Sequence, residues 1–393
     1  MKILLTILIP FILYFTLNAQ NLVNIDLTRA KFEATNADKI FKDFKIVSLE
    51  THEDAFLKKN CTFYLTDKYI IAVELFQGAY LFDRKTGAFI REVSSFGQGP
   101  DQYTGYIFPK CGFDEKNNTL FVGTSVSTGK LWKCINIETN KIESTIKTPV
   151  PKNSNGVSPA YAPWLIKNNT YVSFCNNRTG KDKIRLIVYN KAGTIIKTYP
   201  NYLQYEKENL NNFPSNNGIF YYYNSSTYFK EWHYNDTVFR VDEKSMTPHL
   251  IFKLGNKQPS YKLQENVNNK QGKYLIDFVC ESNLFVLYNF IYFAKEANPQ
   301  PLRRGVSCTG YYDKRSKQSY LSSTPDIKKT GYVITGIPVR FVPISINSKK
   351  EMIAQIDPEE IIKYRDQLSP KYKSLFKDIQ EDDNPIVIIA TLK

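Results

Sequence analysis

Leu81-Phe82-Asp83-Arg84-Lys85-Thr86-Gly87 is the end of an apolar strand running into a polar turn, and four related stretches follow it along the chain. They are Cys134-Ile135-Asn136-Ile137-Glu138-Thr139-Asn140, Val188-Tyr189-Asn190-Lys191-Ala192-Gly193, Arg240-Val241-Asp242-Glu243-Lys244-Ser245 and Tyr311-Tyr312-Asp313-Lys314-Arg315-Ser316. Each turn opens on Asp or Asn, whose short side chain caps the next backbone amides. Gly or Asn then takes the positive-φ position. Counted between these Asp and Asn residues, the intervals are 53, 54, 52 and 71 residues. Three near-equal intervals mark a structural repeat.

The neighbours of each turn are short runs rich in Val, Ile, Tyr and Phe, such as Tyr69-Ile70-Ile71-Ala72-Val73 before the first and Thr194-Ile195-Ile196-Lys197-Thr198 after the third. Such runs separated by turns read as antiparallel meanders. A unit of about 50 residues with three or four strands is one blade of a β-propeller. The long interval predicts an insertion of about 18 residues in the fifth unit, placed in the polar stretch from Lys295 to Arg304. The tail supplies the sixth unit. Asp357-Pro358-Glu359-Glu360 and Ser369-Pro370 read as helix starts, with Pro at the first helical position. Ile386-Val387-Ile388-Ile389-Ala390 is apolar on both faces and belongs inside a sheet. Pairing it with Phe44 to Leu49 would close the ring and remove exposed edges. The expectation is an all-β, six-bladed β-propeller with short helices in the last blade and closure by the two termini. The 393 residues would suggest two domains at about 150 each. The repeat overrides that and makes residues 20–393 a single propeller domain.

Composition excludes classes of protein. With 42% hydrophobic, 14% aromatic and 23% charged residues, the chain is neither disordered, collagen-like nor a polytopic membrane protein. Lys and Arg number 52 against 38 Asp and Glu, a net charge of +14. The basic residues occur as pairs such as Lys328-Lys329 and Lys349-Lys350, without the long stripes of nucleic-acid arms. Only three His are present, which argues against a His-rich metal centre. Six Cys without a C-x-x-C pair give no support to a redox or zinc-ribbon site. Buried thiols and disulfides both stay open.

The N-terminus has the layout of a secretory signal. Lys2 precedes the uncharged run Ile3 to Leu17, and Leu17-Asn18-Ala19 ends in a small residue before Gln20. Residues 1–19 are therefore expected to be a signal peptide. Fifteen residues interrupted by Pro10 fall short of the roughly 20 needed to span a bilayer. No Cys lies at the cut, so nothing points to a lipoprotein. The mature chain is expected outside the cytoplasm, in the periplasm or the extracellular space, as a monomer without a membrane span.

At this point the residues resemble a known group. Tyr69-Ile70-Ile71, the Leu81–Gly87 turn, Phe89-Ile90 and Phe96-Gly97-Gln98-Gly99-Pro100-Asp101-Gln102-Tyr103 look like the first blade of six-bladed β-propeller proteins common in Bacteroidetes. Ser48-Leu49-Glu50-Thr51 and Asn384-Pro385-Ile386-Val387-Ile388 are similar to that group's two ends. The resemblance runs from about residue 22 to 393 and implies a TolB-like or NHL-type propeller fold and an exported location, with no established reaction.

No catalytic motif is complete. Gly97-Gln98-Gly99-Pro100 lacks the third Gly of a dinucleotide loop and the Gly-Lys-Ser/Thr of a Walker loop. It reads as a crossover between blades in which Gln98, Asp101 and Tyr103 are candidate ligand contacts. Gly156-Val157-Ser158-Pro159-Ala160 lacks the last Gly of a nucleophile elbow. Asp114-Glu115-Lys116-Asn117-Asn118 and Glu381-Asp382-Asp383-Asn384 have the oxygen ligands that Ca²⁺ takes, but read first as solvated turns. A Ca²⁺ in the central channel, as in some six-bladed lactonases and esterases, is the alternative. Tyr161, Trp164, Tyr221, Tyr222, Tyr223 and Trp232 suit sugar stacking, although sheets favour aromatics in any case. Tyr221 and Tyr223 should share a face opposite Tyr222, so one of the two faces is expected to meet solvent or a partner. Arg303 and Arg304, in the expected insertion, could hold a carboxylate, sulfate or phosphate. The reading is a non-catalytic recognition or scaffold module for a glycan, a peptide or an envelope protein. The alternative is a channel-metal-dependent hydrolase or lyase.

Overall fold

A computed structural model describes residues 22–57, 61–74, 77–97, 99, 102, 111–123, 130–151, 162–177, 180–205, 218–231, 234–261, 270–293, 305–322 and 330–393. Six antiparallel sheets form the blades of a ring. Blades 1, 2 and 3 are four-stranded and continuous in sequence, from Thr62 to Ser95, Cys111 to Thr148 and Trp164 to Pro200. Blade 4 runs from Gly218 to Lys253 and blade 5 from Tyr274 to Leu321. Blade 6 joins Ser345–Ile346, Glu351–Ile356 and Ile386–Leu392 to the N-terminal strand Phe41–Ser48.

The turns at the repeated Asp and Asn form as the sequence predicts. Asp83 Oδ1 accepts hydrogen bonds from the amides of Lys85 and Thr86 at 2.9 and 2.8 Å. Asn136, Asp242 and Asp313 each cap two amides in the same way. Asn190 Oδ1 accepts from the Thr194 amide at 2.9 Å. Gly87 closes the first turn at φ +77°, and a Cβ there would stand 2.0 Å from the Ser48 carbonyl oxygen. Only glycine lets this turn press against blade 6.

Because each sheet is covered on both faces by its neighbours, the inner strands are apolar at successive positions. Ile70, Ile71 and Ala72 are all fully buried. The core is divided into six wedges, one in each gap between adjacent blades. All six cysteines are buried, unbridged thiols shared among these wedges. Burial pushes the Cys61 and Cys175 thiols up to about 12, so they behave as small apolar side chains.

Ring closure follows the expected pairing, with Ile386 opposite Ser48 and Ile388 opposite Ile46. Asn384 fastens the joint. Its Nδ2 donates to the carbonyls of Glu50 and Ala55 at 2.7 and 2.6 Å, and its Oδ1 accepts from the Leu57 amide at 2.7 Å. Helices α1 (Pro358–Lys363) and α2 (Pro370–Leu375) start at the expected prolines. Asp357 occupies the cap position of α1 without a capping bond from its side chain, which accepts from Gln355 instead.

The N-terminal segment does more than close blade 6. Val23–Asp26 lies parallel to Leu250–Lys253 on the outer edge of blade 4. Lys31–Phe32 then lies parallel to Tyr320–Leu321 on blade 5. The segment is a strap around half of the ring, anchored by Ile25, which is fully buried. The extra length of the fifth unit is also distributed differently from the expectation. Thirteen residues separate Tyr292 from Val306, against five between Glu231 and Thr237 in blade 4. Lys295 to Arg304 lie outside the described residues, and the three blade 5 strands, at eight residues each, are longer than their blade 4 counterparts and take up part of the extra length.

Candidate functional site: the axial channel

The first strand of every blade lines a cavity of about 370 Å³ on the ring axis. Five of these strands contribute a half-buried aromatic ring: Tyr64, Phe113, Trp164, Phe220 and Phe278. Blade 6 contributes Ile346. The rings are staggered along the axis. Followed through the paired strands, Phe113 is level with the residue just before its Asn turn, Tyr64 and Trp164 with the second before theirs, Phe220 with the third and Phe278 with the fourth. At about 3.3 Å per residue the staircase covers roughly 10 Å. Tyr64 and Phe113 rings lie 5.5 Å apart, and Trp164 stacks on Phe220 at 5.8 Å. The Tyr64 hydroxyl donates to the Cys111 carbonyl at 3.0 Å. The Trp164 Nε1 donor has no acceptor among the described residues.

Among the described residues three carboxylates line the cavity, and no Lys, Arg or His does. Glu351 is paired with Arg84 across the blade 6 to blade 1 gap and accepts from Asn347 Nδ2 at 2.8 Å. Burial pushes its carboxyl up, but those hydrogen bonds more than offset this and hold it below the ordinary value. Glu115 accepts from the Ser348 amide at 2.8 Å, yet burial keeps its carboxyl raised. Asp277 is the residue skipped between the pairs Ile276–Phe290 and Phe278–Asn289, a β-bulge in the first strand of blade 5. Its Oδ1 is buried and has no hydrogen-bond partner among the described residues. Burial pushes this carboxyl up to about 6, opposed by its own amide and by the Lys230 charge. The buried Lys230 ammonium donates to the carbonyls of Glu231 and Asn235 at 2.9 and 2.7 Å, and burial pushes it down to about 8.

Tyr221 connects the channel wall to a second polar group between blades 4 and 5. Its hydroxyl donates to Glu281 Oε2 at 3.3 Å. His249 Nε2 lies 2.8 Å from the same oxygen, and Lys314 donates to Glu281 Oε1. The Lys314 ammonium also sits over the Tyr223 ring, 4.4 Å from its centre. Tyr222 faces the other way, 4.8 Å from Trp164, with its hydroxyl on the Leu165 carbonyl. The expected alternation is present. Tyr221 is buried, while Tyr222 on one face and Tyr223 on the other each stay partly exposed.

Gln98, Asp101 and Tyr103 lie outside the described residues, as do Arg303, Arg304, Tyr161, Trp232 and residues 1–21. The described part of the Gly97–Tyr103 stretch is organised by Gln102, which sequence reasoning passed over. Its Oε1 accepts from the Gly99 amide at 2.7 Å and its Nε2 donates to Ser95. Lys133 of blade 2 donates to the carbonyls of Gly99 and Gln102. The two acidic stretches considered for Ca²⁺ are turns. Asp114 Oδ1 caps Lys116 and Asn117, and Asp383 accepts from Gln380 and Thr51. Among the described residues no group of three His, Cys, Asp or Glu is placed to hold a metal.

No helix among the described residues is long and apolar enough to cross a membrane. No curated protein matches the chain. Its fold is that of a protein from Bacteroides fragilis described as exported, at 14% identity and a TM-score of 0.66 over 95% of this chain and 99% of the other. It is also that of a DUF4221 family member from Bacteroides vulgatus, at 10% identity and a TM-score of 0.55 over 90% and 97%. Residues 22–391 match the model of the family described as a domain of unknown function, DUF4934, and the chain belongs to that family.

Proposed function

We propose that this chain is an exported recognition module that binds its ligand in the axial channel without transforming it. The observation that carries this reading is the convergence of five aromatic rings, one from each of five blades, on a single cavity. Sheet aromatics usually pack into the gaps between blades, as Phe82 and Tyr189 do here. Tyr64, Phe113, Trp164, Phe220 and Phe278 also pack at the gaps, but they are half-buried and line the cavity, so a guest there would lie against them. The signal-like N-terminus and the exported description of the Bacteroides fragilis neighbour support a location outside the cytoplasm.

The test is a thermal-shift screen of the mature chain against glycans, peptides and small amphiphiles. A true ligand raises the melting temperature of the parent. It fails to do so for Trp164→Ala and for Ile346→Trp, each shown by circular dichroism to be folded. Ligands that stabilise all three proteins equally would place binding elsewhere and sink the channel reading. Turnover of a channel ligand would overturn its non-catalytic half.

A further inference from the structure

We infer that the channel's ligand is an elongated organic cation, an ammonium group on an apolar body, with its head at Asp277 and its body along the staggered rings. This rests on the channel being the binding site and narrows what binds there. The first support is an inversion of charge. The chain has 52 Lys and Arg and a net charge of +14, yet among the described residues the cavity wall has three carboxylates and no basic side chain. An anion entering the channel would meet like charge. A neutral sugar would need many polar partners, which a wall built mainly from Tyr64, Phe113, Trp164, Phe220 and Phe278 does not supply.

The second support is the bulge. Glu351 is neutralised by Arg84, and Glu115 accepts a backbone amide. Asp277 alone of the three has a buried oxygen without a partner among the described residues. Lys230, close enough to favour its ionised form, makes no hydrogen bond to it and donates to two carbonyls. A buried carboxylate left in that condition costs free energy that an arriving cation recovers. Bulges commonly re-aim side chains beside functional sites.

The third support is shape. Aromatic faces carry negative charge density, so a cation gains from each ring it passes, most from Trp. Rings staggered over roughly 10 Å suit an elongated body better than a compact one. The cavity of about 370 Å³ lies in the range of small-molecule sites.

The experiment titrates the full mature chain with an isosteric pair, (3-hydroxyphenyl)trimethylammonium and neutral 3-tert-butylphenol, and with 3-hydroxybenzenesulfonate as the anion. The expected result is cation binding at least tenfold tighter than the neutral phenol, with no binding of the sulfonate. Asp277→Asn should remove that preference, bringing the cation and phenol affinities to within about twofold of each other. Trp164→Ala should weaken both. Equal affinity for cation and phenol, both lost in Trp164→Ala, would overturn the cationic assignment and leave the channel reading standing. A cation preference that survives in Asp277→Asn would overturn the placement of the head group. Cation binding unaffected by Trp164→Ala, or no cation binding up to 10 mM, would overturn the inference. The first of these would also remove the channel from consideration.

Discussion

Blades 1 to 3 and blades 4 to 6 are built from the same repeat, yet their outer edges are treated differently. In blades 4 and 5 the edge is covered by the N-terminal strap, and in blade 6 the same segment supplies the outermost strand. In blades 1 to 3 no further strand pairs with the edge among the described residues, and it carries exposed Ile90, Ile142, Ile195 and Ile196, the last at 48%. Open sheet edges invite pairing with other chains, and charged residues discourage it. Arg91, Lys141, Lys147 and Lys197 stand on these strands. The protein thus protects one half of its ring with chain and the other half with charge. Most of the shared free energy of closure should accordingly lie in the strapped half.

The largest expected effect is at the closure itself. Asn384→Ala leaves the Leu57 amide and the carbonyls of Glu50 and Ala55 without their buried partner, and should cost about 3 kcal/mol. A urea midpoint unchanged from the parent would show that Asn384 does not hold the joint. Next comes a matched pair that tests the two halves directly. Ile25→Ala removes a fully buried side chain of the strap and should cost about 2–3 kcal/mol. Ile196→Ala on the open edge of blade 3 should stay within about 0.5 kcal/mol. Equal losses from the two, measured by chemical denaturation, would break the comparison.

A further effect, smaller than that of Ile25→Ala, concerns Asp277, inside the strapped half. Its carboxyl is raised to about 6 in the fold from an ordinary value of 3.8. The folded chain therefore holds the proton more tightly, and this group's contribution falls as pH rises through that window. Asp277→Asn should be more stable than the parent at pH 7, by on the order of 1 kcal/mol. The advantage should vanish below about pH 4. A variant less stable than the parent at neutral pH would mean that the carboxylate has a partner in solution.

Reading the sequence alone went furthest where structure is local. Asp83, Asn136, Asn190, Asp242 and Asp313 cap their own turns, so spacing and residue type were enough to count the blades. Ile386–Ala390 was legible because only an interior strand is apolar on both faces. The strap was not legible. Val23–Asp26 and Lys31–Phe32 are too short to show a period, and their partners lie more than 220 residues away. The channel was half legible. Trp164 stood out as a stacking residue, whereas Tyr64, Phe113, Phe220 and Phe278 look like the core aromatics beside them. They line the cavity because they stand on the first strand of each blade, and strand order around the axis is a property of the closed ring. The bulge at Asp277 leaves no mark in the sequence.

The strap also sets an order of events. Synthesis delivers the chain from the N-terminus, so residues 23–48 emerge ahead of every strand they pair with, those of blades 4 and 5 and the last strand of blade 6. Contacts between distant parts of a chain form slowly. Ile25 and Leu27, fully or nearly buried in the finished ring, must wait in contact with solvent while some 200 residues follow them. Blades 1 to 3, each complete within its own stretch of chain, are free to form during that interval. The strap can then dock only in stages, first on blade 4 and then on blade 5, and a molecule whose C-terminal strand is missing would keep those two contacts but leave Phe41–Ser48 unpaired and the ring open.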